Sequence, residues 1–414
     1  MTTSAERIRA WNGPAILSFG FRPFFLLAGL WAAAAMALWI AMLAGWAGPP
    51  TAFDPIAWHA HEFLFGFLSA VMAGFLLTAV PNWTGRLPIT GWPLAGLAAL
   101  WLLGRAAVAV SAHLPALVVA AADLGFLGVL AGVLAREIVA GRNWRNLPVL
   151  GLLVVFVFGN ALFHWQAAAG GAPAQGPGLR LALSAAVMLV ALIGGRIVPS
   201  FTRNWLAQRG ETRLPVPPMQ RFDKAALALM GVALAAWIAA PDHWLTGAAL
   251  LAAGALHLLR LGRWRGGLTW AEPLVTVLHG GYLFLPLGAL GLGAEILSPG
   301  TFGMAAAQHL WMAGAIGLMT LAVMTRAALG HSGRPLHATA PIAGLYLLLV
   351  VSVLARLLAG ALPGEVWALH LSAAAWIAAW GGFSAIYWPI LTRPKAAPKR
   401  VSGGKGRAMA DPGG

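Results

Sequence analysis

Apolar runs of about twenty residues recur along this chain from one end to the other, and that repetition leaves few folds open. A run of that length is what an α-helix needs to cross a hydrocarbon layer roughly 30 Å thick. No water is available inside such a layer to satisfy backbone groups, so only helices and closed barrels span it. Windows near 24–46, 59–81, 92–110, 114–135, 147–169, 180–201, 224–240, 244–261, 272–292, 302–325, 341–362 and 366–391 predict an all-α, polytopic membrane protein with about twelve transmembrane helices. Charged residues are only 9% of the 414. A soluble domain carries about 25%, so this chain cannot cover a soluble surface. The first run is longer than the roughly 7–15 residues of a signal-peptide core, and it is read as a retained first helix.

The formal charge of +15 would suggest nucleic acid in a soluble protein, so its placement matters. With the N-terminus inside, 23 of the 27 Lys and Arg residues fall in segments on the inner side of the membrane. Arg180 is the one assigned to the outer side, and Arg105, Arg196 and Arg356 lie within helices. That asymmetry is the positive-inside pattern of membrane proteins. It predicts both termini inside and no nucleic-acid partner, with the lipid bilayer as the surroundings. Residues 1–23 then form a cytoplasmic N-terminal segment, 24–392 the twelve-helix domain, and 393–414 a basic, Gly-rich disordered tail. The long internal segment 202–223, with its Pro-Val-Pro-Pro, suits a hinge between two groups of six helices. A faint echo at the inner ends of helices two, six and ten (Val80 to Thr84, Val198 to Thr202, Thr325-Arg326) is what three groups of four helices would leave.

Ionisable groups inside a bilayer are costly, so each invites a functional reading. His59, His61, His164, His309 and His370 come from four helices and share one leaflet, with Glu62 beside the first two. Imidazole is a common metal and haem-iron ligand. The absence of cysteine excludes disulfides, iron–sulfur clusters, thiolate-ligated haem and covalently attached haem. A haem with two facing ligands would suit His61 and His309. At 100° per residue, His59 and His61 point about 200° apart and cannot hold one metal from a regular helix. His59 and Glu62, three residues apart, fall on one face. Interfacial, hydrogen-bonded histidines would explain the same residues, and the pattern alone leaves both open. Arg196, Arg326 and Arg334 are candidates for haem propionates or anions, since guanidinium groups bind carboxylates bidentately; plain positive-inside anchoring would equally explain them, and it suits Arg326 and Arg334 better. Arg105 and Asp123, in neighbouring helices, are expected to pair. Gly194-Gly195 is expected to permit close helix packing.

Five strings together resemble the NnrS family of bacterial membrane proteins. They are FRPFFLLAG (Phe21 to Gly29), WHAHEFLFGF (Trp58 to Phe67), FLLTAVPNWTGR (Phe75 to Arg86), GGRIVPSFTRNWL (Gly194 to Leu206) and the run from His309 to Leu336. The resemblance implies a multi-pass protein of the bacterial inner (cytoplasmic) membrane that binds haem b and copper. It implies a role in binding, sensing or turning over nitric oxide or iron–nitrosyl species, in nitrosative-stress defence and denitrification; whether the chain is an enzyme stays open. Residue by residue, His59, His61 and Glu62 match the family's H-x-H-E motif, His309 and His331 bracket its tenth-helix motif, and Arg196 and Arg326 match its arginines. The candidate metal ligands are therefore His59, His61, His164, His309, His331 and Glu62. The layout is also similar to the catalytic subunit of haem–copper oxidases, but helices six and seven lack that subunit's histidines. The alternative reading is a membrane transporter with two six-helix halves.

Overall fold

The computed structural model describes residues 11–46, 48–86, 88–301, 303–362 and 364–394. Among these there is no strand, and twelve helices are long and apolar enough to cross a membrane. They are α1 (Phe21–Leu43), α2 (Pro55–Thr84), α3 (Trp92–Ala109), α4 (Ala116–Ala140), α5 (Trp144–Ala168) and α6 (Pro177–Ala207). The second six are α7 (Arg221–Ala239), α8 (Trp244–Leu268), α9 (Pro273–Leu297), α10 (Met304–His331), α11 (Ala340–Ala361) and α12 (Val366–Thr392). The polytopic all-α reading therefore holds, and each expected window has its helix. The closely spaced windows are separate helices: residues 110–115 divide α3 from α4, and 240–243 divide α7 from α8.

Local chemistry sets the ends. Asp54 caps α2, its Oδ1 accepting from the N–H groups of Ile56 (2.9 Å) and Ala57 (3.0 Å), with Pro55 at the first helical position. Gly85 closes α2 in the left-handed region at φ 69°. A reciprocal box opens α7, where Asp223 accepts from the Gln220 N–H at 2.9 Å. α6 and α10 run several residues past the expected windows, to Ala207 and His331. The segment joining α6 to α7 is accordingly 208–220, and its Val216 N–H donates to the Arg263 carbonyl at the end of α8 (3.4 Å).

α2, α6, α9 and α10 are the most enclosed helices, and the others lie around them. Three of these four, the ones carrying the sequence echo, contain a wider π-helical stretch: Glu62–Phe67 in α2, Val190–Gly194 in α6 and Leu310–Leu318 in α10. Such turns are rare, and they re-aim side chains relative to a regular helix. Glycine allows the closest approaches. A Cβ on Gly159 of α5 would lie 2.7 Å from the Ala182 nitrogen and 2.9 Å from the Gly178 oxygen of α6, so these backbones touch as small-residue membrane helices do. Gly194-Gly195 meets its expectation: a Cβ on Gly195 would lie 2.6 Å from Cζ of the buried Arg260.

The first and last helices are tied by one side chain. Arg22, placed from sequence in the N-terminal segment 1–23, is the second residue of α1 and is buried. Its Nη1 donates to the carbonyls of Ile390 (3.3 Å), Leu391 (3.1 Å) and Arg393 (2.7 Å), capping α12. Those carbonyls have no partners within their own helix. Replacement of Arg22 by Ala is expected to cost about 1.5–3 kcal/mol, the range for hydrogen bonds to a charged group. Thermal unfolding of the detergent-solubilised protein measures it, and an unchanged midpoint counts against the tie.

Candidate functional site

The short connections of the bundle define two ends, one carrying the loops that follow odd-numbered helices and the other those that follow even-numbered ones. His59 and His61 of α2, His164 of α5 and His309 of α10 all lie toward the odd-loop end, and they separate into two sites.

The first is a cavity of about 590 Å³ between α2 and α10, with walls also from α1, α11 and α12. His59 and His309 face each other in it, their ring centroids 6.1 Å apart and their planes inclined by 12°. The His309 Nδ1–H donates to the Ala305 carbonyl at 2.6 Å. That bond fixes the tautomer and leaves Nε2 as a lone-pair donor, the usual state of a metal-bound histidine. The His59 ring stacks on Trp39 at 4.0 Å and packs against Phe63 at 4.6 Å, and its Nδ1 has no hydrogen-bond partner. The remaining wall is largely apolar, including Met36, Leu64, Phe67, Met312 and Trp376. Arg180 and Arg356 also line it, with Asp242 close enough to Arg180 to attract it; the Nε atoms of both arginines are buried without partners, and Arg180 Nη1 donates to the Gln175 carbonyl at 2.7 Å.

The second site is a polar cluster buried among α2, α3, α4 and α5. Arg105 of α3 bridges two carboxylates, with Nη1 on Glu62 Oε1 at 2.6 Å and Nη2 on Asp123 Oδ1. Glu62 Oε2 also accepts from Trp31 Nε1 at 2.8 Å. The His61 Nδ1–H donates to Glu62 Oε1 at 3.0 Å. Asp123 Oδ2 faces His61 Nε2 at 3.1 Å and His164 Nε2 at 3.0 Å, and accepts from Asn160 Nδ2 at 2.7 Å. The expected pairing of Arg105 with Asp123 is present. It belongs to a larger network that also needs His61, Glu62, His164 and Asn160.

His61 and His309 were expected to face each other; in the structure the ring opposite His309 is that of His59. The two α2 histidines diverge as helical spacing requires, but spacing does not say which of them turns to α10. Glu62 does not share a site with His59, because its carboxylate is taken up by Arg105 and Trp31. His331 does not join either site: it ends α10 at the even-loop end, packed on Phe19 and Phe21. His370 is exposed and apart from the other four. Arg196 and Arg326 lie in the even-loop half, Arg196 donating to Asn146 Oδ1 at 3.1 Å and Arg326 sitting 4.2 Å from the Phe201 ring centre. Neither borders the cavity. The arginines that do, Arg180 and Arg356, were legible only as isolated cations outside the basic segments. Asn160 carried no signal.

A family model described as NnrS protein matches residues 15–395, almost the whole chain. The chain belongs to the NnrS family. No curated protein matches it. Within this NnrS-family chain, the four imidazoles of the two sites come from the segments that carried the family resemblance (α2 and α10) and from α5, which did not.

Arg105 is the charge on which the second site balances. Its replacement by Met leaves two buried carboxylates without their counter-ion, and stranding a buried charge in this way costs about 3–5 kcal/mol. The expected outcome is a large fall in folded yield and thermal midpoint; Arg105→Met protein of normal stability would show that the pair is dispensable.

Proposed function

We propose that the chain is a haem- and copper-binding protein of the bacterial inner membrane that binds, senses or turns over nitric oxide or related iron–nitrosyl species in nitrosative-stress defence and denitrification. Membership of the NnrS family and the multi-pass fold support the setting. The charge distribution supports an orientation with both termini cytoplasmic, which puts His59 and His309 in the outer half of the membrane.

The observation that carries the haem reading is the facing pair of His59 and His309 across an apolar cavity. Two imidazoles on opposite sides of one metal, each at about 2 Å, have ring centres roughly 6 Å apart, and the observed separation is 6.1 Å. The cavity volume lies within the ~300–1,000 Å³ range of ligand pockets. Its aromatic and aliphatic wall suits a macrocycle, and the unpaired Nε–H groups of Arg180 and Arg356 suit two propionates. Those residues replace Arg196 and Arg326 in the propionate role. Bound there, haem would supply an iron centre able to take a small gas as ligand. The chain's part is to hold and orient it. His309, whose ring is anchored through Ala305, and His59, whose Nδ1 has no partner, are the residues that would hold it. Copper has only His, Met, carboxylate and backbone oxygen to draw on, since the chain has no cysteine.

Full-length protein from haem-replete cells, purified in mild detergent, is expected to show a Soret band that shifts when the dithionite-reduced form is titrated with nitric oxide. His309→Ala should abolish that band and His370→Ala should retain it. A featureless wild-type spectrum, or equal behaviour of the two variants, defeats the reading. Arg356→Ala should weaken haem retention by about ten- to a hundredfold, the loss of a charge-assisted hydrogen bond worth roughly 1.5–3 kcal/mol, as read by transfer of haem to apomyoglobin.

A further inference from the structure

With His61 neutral, the network around Asp123 contains more acceptors than hydrogens at one point. Because Glu62 accepts from the His61 Nδ1–H, neutral His61 presents a lone pair at Nε2. That lone pair is aimed at Asp123 Oδ2 (3.1 Å) and His164 Nε2 (3.3 Å), which are themselves 3.0 Å apart. Oδ2 is an acceptor, and a single hydrogen on His164 Nε2 cannot serve both of its neighbours along good lines. Three electron-pair donors therefore converge in a closed, buried triangle. A point equidistant from the three atoms lies roughly 1.8 Å from each, so an expansion of a few tenths of an ångström reaches the ~2.0–2.1 Å bond of a metal to imidazole.

Charge narrows the choice of ion. Glu62 and Asp123 carry two negative charges and Arg105 one positive, all buried, so the neutral-histidine cluster has a net charge of −1. An uncompensated charge in a site of low dielectric is costly. One positive charge closes the balance, whether a proton on His61 or a monovalent metal ion, and a divalent ion leaves an excess of +1. Imidazole ligands suit copper, and copper is the transition metal with a stable monovalent form.

We infer that His61 Nε2, His164 Nε2 and Asp123 Oδ2 form a trigonal site for cuprous ion, held in shape by Glu62, Arg105 and Asn160. This rests on the copper part of the proposed function and gives that copper a place separate from the haem cavity. Glu62 and Arg105 act as positioning residues: Glu62 sets the His61 tautomer, and Arg105 holds the second oxygen of Asp123. Asn160 orients Oδ2.

The test loads full-length protein anaerobically with copper and ascorbate and competes the metal away with bicinchoninate, followed by elemental analysis. The expected result is one copper per chain in the wild type and at least about tenfold weaker binding in His164→Gln, with the haem band unchanged. Zinc offered at the same concentration should not occupy the site. Copper retained at wild-type strength by His164→Gln, or zinc bound as tightly as cuprous ion, overturns the inference. Should His164→Gln fail to fold, copper-edge absorption of the wild-type protein decides: two imidazoles and one oxygen near 2 Å support the site, and any ligand set without two imidazoles overturns it. A preparation with a normal haem band but no tightly bound copper sinks this inference alone; one with neither cofactor sinks the functional reading itself.

Discussion

Hydrocarbon offers no hydrogen bonds, and that constraint governs this molecule more than any single contact. The backbone meets it by forming helices, which consume their own donors and acceptors. Side chains must meet it by finding each other. Arg105, Glu62 and Asp123 illustrate the outcome: each would be prohibitive alone, yet they come from three helices and satisfy one another. Arg260 repeats the solution nearer the even-loop end, paired with Asp223 at 2.8 Å and donating to Tyr282 Oη and the Ala191 carbonyl. Polar groups in such a fold specify which helices are neighbours, since the apolar surfaces around them are largely interchangeable.

This explains why the helix count was legible and the sites only in part. Hydropathy measures how much chain fits in the hydrocarbon, so twelve windows yielded twelve helices. The same measure stops where Thr202, Arg203 and Asn204 begin, although the helix continues to Ala207. Leaving the hydrocarbon layer does not end a helix. Arg105 and Asp123 were legible as a pair because adjacent helices joined by a short loop hold them at similar depth. Arg22 was not: its partners are the carbonyls at the end of α12, nearly the whole chain away in sequence.

The histidines show the limit more sharply. Helical spacing separates His59 from His61, since two residues turn the ring by about 200°. It cannot say which faces α10 without knowing the rotation of α2 in the bundle. That rotation is set by Trp39 stacking on His59 on one side and by Arg105 drawing Glu62 on the other, both contacts between helices. The π-helical stretch at Glu62–Phe67 adds a second change of direction that no periodic pattern announces.

Ordinary helical spacing accounts for how one helix serves two sites. The turn that carries His59, His61 and Glu62 is regular α-helix, the Glu62 N–H bonding back to the Trp58 carbonyl, so the rings of His59 and His61 diverge by about 200°. The Glu62 carboxylate lies beside His61, within reach of both Arg105 and Trp31. The large cavity-facing ring and the charged cluster thus leave α2 in opposite directions from positions two residues apart. Separation by helix geometry, with no intervening domain or loop, lets a dry polar cluster and an apolar cavity lie side by side, each keeping the environment its own residues require.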